Sequence, residues 1–331
     1  MRSAASRRSS NRSSSPGLKP SQRESRTPRP PLALPHAAHG RTSRRHPLHH
    51  RGSFLFVLPA VVILGGFGLA ASFSNVVYSF LDWNVLTPPR FVFLDNYKKV
   101  FQDDIGLRSI INTFYYAFLY VVPTVVCSLL VALALNERSR IMYFFRTVFY
   151  VPVVTSYVVV LVIWSWIYDF DIGLLNSYLG DWFGVQKIGW LINPFLALPS
   201  LVVISIWKNM GYTVIIYLAG LQNVEETLMD AGRIDGCNNR QLFWHVIIPQ
   251  LHHTTTLAIV LVTTASFQMF VQPYLLTQGG PDNTTSTIAY YFYKQAFSAY
   301  KVGYGSTIAV VAVAIFVVVI TLERRLLASR E

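Results

Sequence analysis

The chain has 331 residues, of which 52% are hydrophobic and 13% are charged, and its formal net charge is +12. Soluble domains are about 25% charged, so this composition excludes an ordinary water-soluble globule and favours a membrane protein. The two cysteines exclude a disulfide scaffold and a zinc site with four thiolate ligands.

The N-terminal segment carries most of the charge. Residues 1–51 hold twelve Lys and Arg and one acid, Glu24, together with seven of the 17 prolines. Apolar residues are too few there to bury a core, so we predict a disordered basic tail over 1–51 and a membrane domain over 52–331. In the cytoplasm such a tail would lie against anionic lipid, and no folded motif indicates nucleic-acid binding.

Six charge-poor windows follow the tail, each long enough to cross a hydrocarbon layer of about 30 Å as a helix. They are Gly52–Leu81, Ser109–Asn136, Thr147–Tyr168, Gly189–Val224, Leu257–Thr277 and Ser306–Leu322. Backbone groups in lipid must be satisfied within the segment, and these runs are continuously apolar rather than alternating. The sequence therefore predicts an all-α integral membrane protein with six transmembrane helices.

Basic residues in the loops predict the orientation, because Lys and Arg concentrate on the cytoplasmic side. With the tail inside, 20 Lys and Arg lie on the cytoplasmic side and seven lie outside, whereas without the tail the count is 8 against 7. Trp83, Trp182 and Trp190 then fall near the outer boundary, as in an aromatic belt. Both termini are predicted to be cytoplasmic.

Sequence motifs for catalysis are absent. The chain has no phosphate-binding loop G-x-x-x-x-G-K-[ST] and no H-E-x-x-H, C-x-x-C or G-x-S-x-G motif. The tail histidines and the pair His252-His253 are interpreted as solvated rather than metal-ligating, because no carboxylate or thiolate clusters with them. Cys127 and Cys237 are interpreted as ordinary reduced residues. We expect no catalytic centre, no metal site and no cofactor bound by this chain.

The predicted cytoplasmic loop 222–255, between the fourth and fifth spans, contains two short amphipathic helices. In the first helix Val224, Leu228, Ala231 and Ile234 recur at helical spacing on one stripe. The second helix has an apolar face made of Leu242, Phe243, Val246 and Ile247.

Cap signals bound both helices. Asn223 and Glu226 have the spacing of a capping box, and Gly236 suits the position after a helix end. Asn238 and Gln241 repeat the cap spacing, and Pro249 is predicted to end the second helix.

Helices this short need a docking surface, which could be the chain's own membrane ends, the lipid interface or a partner protein. The first helix carries four acids but only one base, a poor sign balance for anionic lipid. A groove on a protein is the better fit.

The same loop resembles the EAA loop of binding-protein-dependent ABC importers, whose pattern is Glu-Ala-Ala, three residues, Gly, nine residues, Ile-x-Leu-Pro. Asp230-Ala-Gly232, Gly236 and Val246-Ile-Ile-Pro249 match that spacing throughout, although Val224-Glu225 replaces the usual Ile-Pro before the helix. The resemblance implies that an ATP-binding subunit is contacted through Asp230, Ala231, Gly232, Asp235, Gly236, Val246 and Pro249.

Other segments resemble the sugar-permease branch of these importers, close to the maltose-transporter membrane subunits, over roughly residues 54–327. The matching segments are Leu94-Asp-Asn-Tyr97, Phe145-Arg-Thr147, Gly173-Leu-Leu-Asn176, Trp207-Lys208, Leu218-Ala-Gly-Leu-Gln222, Thr277-Gln-Gly-Gly-Pro281, Phe297 and Gly303-Tyr-Gly305.

The resemblance implies a type I ABC importer permease in a bacterial inner membrane, with the loop 222–255 holding a cytoplasmic coupling helix. A second permease subunit, two ATP-binding subunits that use ATP and Mg, and an extracytoplasmic solute-binding lipoprotein are the implied partners. The implied solute is a carbohydrate, either a monosaccharide or an oligosaccharide.

Six polar residues are candidates for the solute path: Lys208, Asn209, Tyr212, Ser266, Gln268 and Gln272. A lysine in a span is costly, so Lys208 either lines the path, snorkels, pairs locally or marks a helix break before Gly211. The resemblance implies solute contacts at Asn209, Tyr212, Ser266 and Gln268. Hydrogen bonding between helices is the alternative role for the polar residues of the fifth span.

Two other functions stay open at this stage. The solute could be a polyol or a glycerol-phosphate-type compound. A different class, an ion-driven secondary carrier or a membrane enzyme, would show carboxylates within its spans. Here every Asp and Glu is predicted to lie in the tail, a loop or a terminus.

Overall fold

The computed structural model describes residues 56–137 and 139–328. The predicted basic tail, 1–51, lies outside the described residues. Within them the chain is mostly helical, and a small antiparallel hairpin pairs β1 (Leu81–Asp82) with β2 (Arg90–Phe91).

The described residues form twelve helices. In chain order they are α1 (Phe56–Ser79), α2 (Asp95–Gln102), α3 (Asp104–Ala134), α4 (Arg140–Val154), α5 (Tyr157–Ile167), α6 (Leu174–Phe183), α7 (Ala197–Gln222), α8 (Glu226–Ile234), α9 (Asn239–Gln250), α10 (His252–Phe267), α11 (Ile288–Tyr293) and α12 (Val302–Ala328). Residues in π-helical geometry are Val62–Leu69 in α1, Phe243–Ile247 in α9, the turn Pro273–Thr277, and Lys294–Ser298 after α11.

Four of these helices, α1, α3, α7 and α12, are each long and apolar enough to cross a membrane. Two further apolar pairs are bent, α4 with α5 by 97° and α9 with α10 by 67°, so up to six spans result if each pair counts as one. The predictions of continuous helices over Thr147–Tyr168 and Leu257–Thr277 are wrong, because α4 ends at Val154 within the first window and α10 ends at Phe267 within the second.

Local chemistry explains where these helices break. Thr155 and Ser156 adopt extended ψ angles of 145° and 132°, and Pro152 in the last turn of α4 has no amide hydrogen to donate. In the fifth window α10 ends at Phe267, and the next turn begins at Pro273, which is preorganised for the first helical position.

The core lies between α3, α7 and α10. One buried cluster joins these helices to α5 and includes Tyr116, Tyr120, Leu161, Leu201 and Ile204. A second cluster lies towards the other end of α7 and includes Ala132, Val214, Tyr217, Leu251 and Ala258.

The backbones of α4 and α7 touch at Gly211. A Cβ atom at this position would lie 2.0 Å from the carbonyl oxygen of Phe149, so only glycine permits the observed separation of the two helices. At Gly65 in α1, by contrast, nothing lies within 4 Å of the corresponding point.

We expect Gly211→Ala to force α4 and α7 apart and to cost about 1–3 kcal/mol, as overpacking does elsewhere. The measurement is the apparent melting temperature of the purified protein in detergent. Gly65→Ala is the matched control, and equal melting temperatures for the two variants would contradict this account of the contact.

Asp103 ties together three helices at the N-terminal end of α3, opposite to α8. Its carboxylate caps α3 by accepting the backbone N–H of Ile105 at 3.0 Å. The same carboxylate accepts the hydroxyl of Tyr291 in α11 and, at 2.6 Å, the hydroxyl of Tyr304 in α12. Burial raises the pKa of this carboxyl, but the two tyrosine hydroxyls and the backbone amides outweigh burial and hold the pKa below its usual range.

We expect Asp103→Asn to lower the free energy of unfolding by about 1–3 kcal/mol, because one carboxylate oxygen accepts both tyrosine hydroxyls and the other accepts the Ile105 N–H, whereas an amide has only one acceptor oxygen. Since the folded state depresses the pKa, the stabilisation by Asp103 is present above the unfolded pKa and is lost as the pH falls below about 4. Thermal unfolding at neutral and acidic pH measures both effects. Asp95→Asn removes a carboxylate whose side chain is 61% exposed and serves as the control. A loss as large in that variant would contradict the assignment.

Candidate functional site

The first candidate site is the joint between α8 and α9. The helix α8 begins at Glu226 with Glu225 as its N-cap, and no side chain caps it. The predicted capping box is wrong because Asn223 ends α7, where its amide donates to the carbonyl of Ala219 at 3.1 Å.

The predicted glycine at the end of α8 is confirmed. Asp235 is the C-cap, and Gly236 follows in the left-handed region with φ of 82°. The N–H of Gly236 donates to Arg233 and that of Cys237 donates to Gly232, at 3.1 and 2.9 Å. These two bonds form a Schellman motif, which satisfies the last carbonyls of the helix.

The predicted cap of α9 is also confirmed. The side chain of Asn238 accepts the N–H of Gln241 at 2.9 Å, and the Gln241 side chain accepts the N–H of Asn238 at 2.8 Å. The helix continues one residue beyond the predicted end at Pro249. Its last residue, Gln250, accepts the N–H of Glu225 at 3.0 Å, so the end of α9 holds the start of α8.

Side-chain packing fixes the angle of the joint on one face only. Leu242 in α9 is 3% exposed, and its Cδ2 lies 2.7 Å from where a Cβ of Gly232 would be. Val246 lies next to the same point, at 3.9 Å. The apolar stripe predicted on α8 is largely exposed to solvent, since Leu228 is 48% exposed and Ile234 is 86% exposed.

A polar cleft of about 610 Å³ separates α8 from the ends of α3 and α4. Its lining residues carry both signs of charge; they are Asn136, Tyr143, Arg146, Leu221, Gln222, Val224, Glu226, Met229, Asp230 and Arg233. Because this cleft intervenes, α8 is held chiefly through α9 and its own two ends.

The predicted loop residues therefore separate into two groups. Gly232 and Val246 meet at the packed face beside Leu242. The remaining predicted residues are exposed; they are Asp230, Ala231, Asp235, Gly236 and Pro249. Asp230 is paired with Arg233 at 2.9 Å on the open surface.

The second candidate site is a cavity of about 380 Å³ bounded by α3, α5, α7 and the segment that follows α10. Aromatic, amide and aliphatic side chains line it: Tyr116, Tyr120, Val153, Tyr157, Asn209, Tyr212, Thr213, Leu261, Val262, Ala265, Gln268, Met269, Phe270, Val271 and Gln272.

Four predicted path residues line this cavity: Asn209, Tyr212, Gln268 and Gln272. Ser266 does not; it is fully buried and donates to the carbonyl of Thr263 at 2.7 Å. Gln272 lines the cavity, and its amide also donates to Tyr157 of α5 and Ser205 of α7.

Lys208 lies outside the cavity lining. It is 4% exposed, and its Nζ donates to the carbonyl of Val153 at 2.8 Å. The helix α7 continues unbroken past Gly211, so of the alternatives for Lys208 the structure shows local pairing.

Three tyrosines of the cavity wall were not predicted from the sequence. Tyr116 and Tyr120 stack in α3 with ring centroids 5.5 Å apart. Tyr157 opens α5, and its hydroxyl accepts the amide of Gln272 at 2.6 Å; the same amide donates to Ser205 at 3.0 Å. The spacing of Tyr116 and Tyr120, four residues apart in a charge-free span, was the available signal.

One carboxylate lies within a helix rather than in the predicted terminus. The last helix, α12, extends six residues beyond the predicted window that ended at Leu322, so Glu323 is part of a helix long enough to span. Its carboxylate accepts the hydroxyl of Thr263 at 3.0 Å, which joins α12 to α10.

The cavity can accommodate a neutral hydroxylated molecule. Tyrosine faces pack against C–H surfaces, while amide and phenol groups exchange hydrogen bonds with hydroxyls. Of the residues that the structure describes, none that lines this cavity is charged.

Comparison with known families gives a match over most of the chain. The family described as "Binding-protein-dependent transport system inner membrane component" matches residues 106–330.

Two curated relatives match this chain over nearly the whole of their own length. The "Probable ABC transporter permease protein YurN" of Bacillus subtilis (strain 168) is 33% identical over 267 residues, which is 79% of this chain and 91% of that protein. The "Probable starch degradation products transport system permease protein AmyD" of Thermoanaerobacterium thermosulfurigenes is 30% identical over 279 residues, 84% and 94% of the two chains.

A solved structure shares the fold. A chain of a bacterial alginate ABC transporter, crystallised with an alginate pentasaccharide-bound periplasmic protein, superposes with a TM-score of 0.73. The match covers 83% of this chain and 93% of that chain at 18% identity, so it shows the architecture only.

We expect Gly236→Leu to distort the joint, because a left-handed conformation costs about 1–2 kcal/mol for a residue with a branched side chain. The resemblance to the EAA loop implies that the variant would insert in the membrane at the normal level yet lose binding to an ATP-binding subunit and uptake activity. Co-purification and uptake measure these losses. Gly236→Asn is the control, because asparagine tolerates a positive φ better than other residues with a side chain. Normal uptake by the leucine variant would contradict a coupling role of the joint. Loss of expression would indicate that Gly236 only terminates the helix.

Proposed function

The chain belongs to the family of binding-protein-dependent transport system inner membrane components, and from this we propose that it is the permease subunit of an ATP-driven importer for a carbohydrate. A second permease, two ATP-binding subunits and an extracytoplasmic solute-binding protein would complete the assembly. This chain would form half of the solute path, and the ATP-binding subunits would bind ATP and Mg.

The observation that carries the carbohydrate assignment is the composition of the cavity. Tyr157 is partly exposed and Tyr212 is 50% exposed, so both provide accessible aromatic rings, and Asn209 and Gln268 add amides. This combination is suited to sugar rings, which present apolar C–H faces and a rim of hydroxyls. The printed name of AmyD, which refers to starch degradation products, supports the same solute class.

The proposed membrane arrangement has six crossings, with each bent pair counted as one, and both termini in the cytoplasm. The charge of the basic tail supports this orientation, since 20 Lys and Arg then face the cytoplasm. It places α8 on the cytoplasmic side, where it would serve as the coupling helix.

The proposed coupling uses the open face of α8. Ile234 and Leu228 would seat in a groove of an ATP-binding subunit, while the packed face stays attached to α9 through Gly232 and Leu242. ATP binding can shift the permease between two conformations only by its different affinity for them. A firm joint would transmit that difference.

We expect Ile234→Asp to abolish co-purification of the ATP-binding subunit and ATP-driven uptake, because it places a charge on the apolar docking face. The matched control is Ile172→Asp, since Ile172 is 84% exposed and Ile234 is 86% exposed. Uptake of a panel of radiolabelled sugars into proteoliposomes holding the complete importer gives the readout. Equal effects of the two variants would contradict the docking face, and sugar uptake by the isolated chain without an ATPase would contradict the proposed function.

A further inference from the structure

A positive charge lies directly behind the wall of the cavity. The Lys208 ammonium bonds to the carbonyl of Val153 and lies 5.4 Å from the ring centroid of Tyr157. Val153 and Tyr157 both line the cavity, and so does Asn209, the next residue along α7. Lys208 itself does not, so three lining residues surround a cation that the cavity does not contact.

The local environment of Lys208 compensates its charge. Val153 lies in the last turn of α4, where unpaired carbonyls carry the negative end of the helix dipole. The ring of Tyr157 adds the negative face of its π system within the range of a cation–π contact. Among the described residues no carboxylate forms an ion pair with Lys208, so these two groups are its stabilising partners.

Tyr157 is held in place by more than this contact. Its hydroxyl accepts the Gln272 amide at 2.6 Å and donates to Ser205 at 3.5 Å. The ring is thus fixed at the wall between the ammonium and the cavity. A solute in the cavity meets the phenol and not the charge.

We propose that Tyr157 is a specificity-determining residue, which keeps the Lys208 charge out of the path and so restricts the path to uncharged hydroxylated solutes. The inference rests on the proposed function, because it requires the cavity to be an aqueous solute path. It predicts that removal of the ring converts the neutral cavity into one that attracts anions such as sugar carboxylates.

The test measures the charge preference of the cavity with small thiol reagents. The background is Cys127→Ser with Cys237→Ser, and Gln268→Cys supplies a thiol in the cavity wall. In the complete importer the labelling rate is measured with three methanethiosulfonates that carry a hydroxyl, an ammonium or a sulfonate. The ratio of the sulfonate rate to the ammonium rate, corrected for the same ratio at a free thiol, reports the charge that the solute meets.

With Tyr157 present the corrected ratio should be close to one, and Lys208→Gln, which keeps a donor for Val153, should change it less than twofold. Tyr157→Ala should raise the ratio at least about fivefold, because without the ring a sulfonate can approach the Lys208 ammonium closely, where the attraction between opposite unit charges is strongest. Lys208→Gln in the Tyr157→Ala background should abolish the rise. Tyr157→Phe keeps the ring and should leave the ratio unchanged.

Three results would overturn the proposal. An unchanged ratio in a folded Tyr157→Ala variant would show that the ring does not screen the charge. A ratio that already depends on Lys208 with Tyr157 intact would show that the path is cationic. A cysteine at position 268 that no reagent labels in any nucleotide state would refute the aqueous path, and with it the proposed function, whereas the first two results leave that function standing.

Discussion

A helix that bends within a bilayer exposes backbone carbonyls that lipid cannot satisfy. At the end of α4 the chain supplies the partners from its own side chains: the Thr155 hydroxyl donates to Val151 at 2.9 Å, and the Lys208 ammonium donates to Val153 at 2.8 Å. Lys208 can reach because Gly211, one turn further along α7, lets the two backbones touch. Lys208 therefore satisfies a backbone carbonyl that the bend leaves free, and that carbonyl in turn stabilises the buried charge of the lysine.

The position of the cavity follows from this bend. The helix α5 restarts two residues after α4 ends, which places Tyr157 at the wall, and the second interruption, after α10, presents Gln272 directly to the Tyr157 hydroxyl. Irregular backbone at membrane depth is tolerated where it is buried in protein or lines a cavity. Here residues from both irregular segments line the same cavity, so the two helix breaks form part of its wall.

Local signals in the sequence predicted local structure well. The Asn238–Gln241 cap and the glycine after α8 depend on neighbours within a few residues, and both are confirmed. The Asn223 cap failed because two helices compete for that side chain. The cavity tyrosines could not be found in this way, because within an apolar run Tyr157 looks like any lipid-facing aromatic residue. Its role depends on Gln272, which is 115 residues away in the chain.

The helix α8 is packed against α9 on one side and open on the other, which suits the role proposed for it in transmitting force to the membrane domain. From its packed face the chain runs through α9 and a single bend into α10, which ends beside Gln268 in the cavity wall. The helix α10 does not lie alone, since the Thr263 hydroxyl donates to Glu323 of α12 at 3.0 Å, and His252 Nε2 lies 3.1 Å from the carbonyl of Leu327. Under the proposed function, a displacement of α8 would therefore carry α10 and α12 together. Chains of packed side chains and rigid helices such as this one can carry energetic coupling between distant sites. The helices on this path, α8, α9 and α10, are consecutive in the chain, so covalent connections as well as packing contacts link α8 to the cavity.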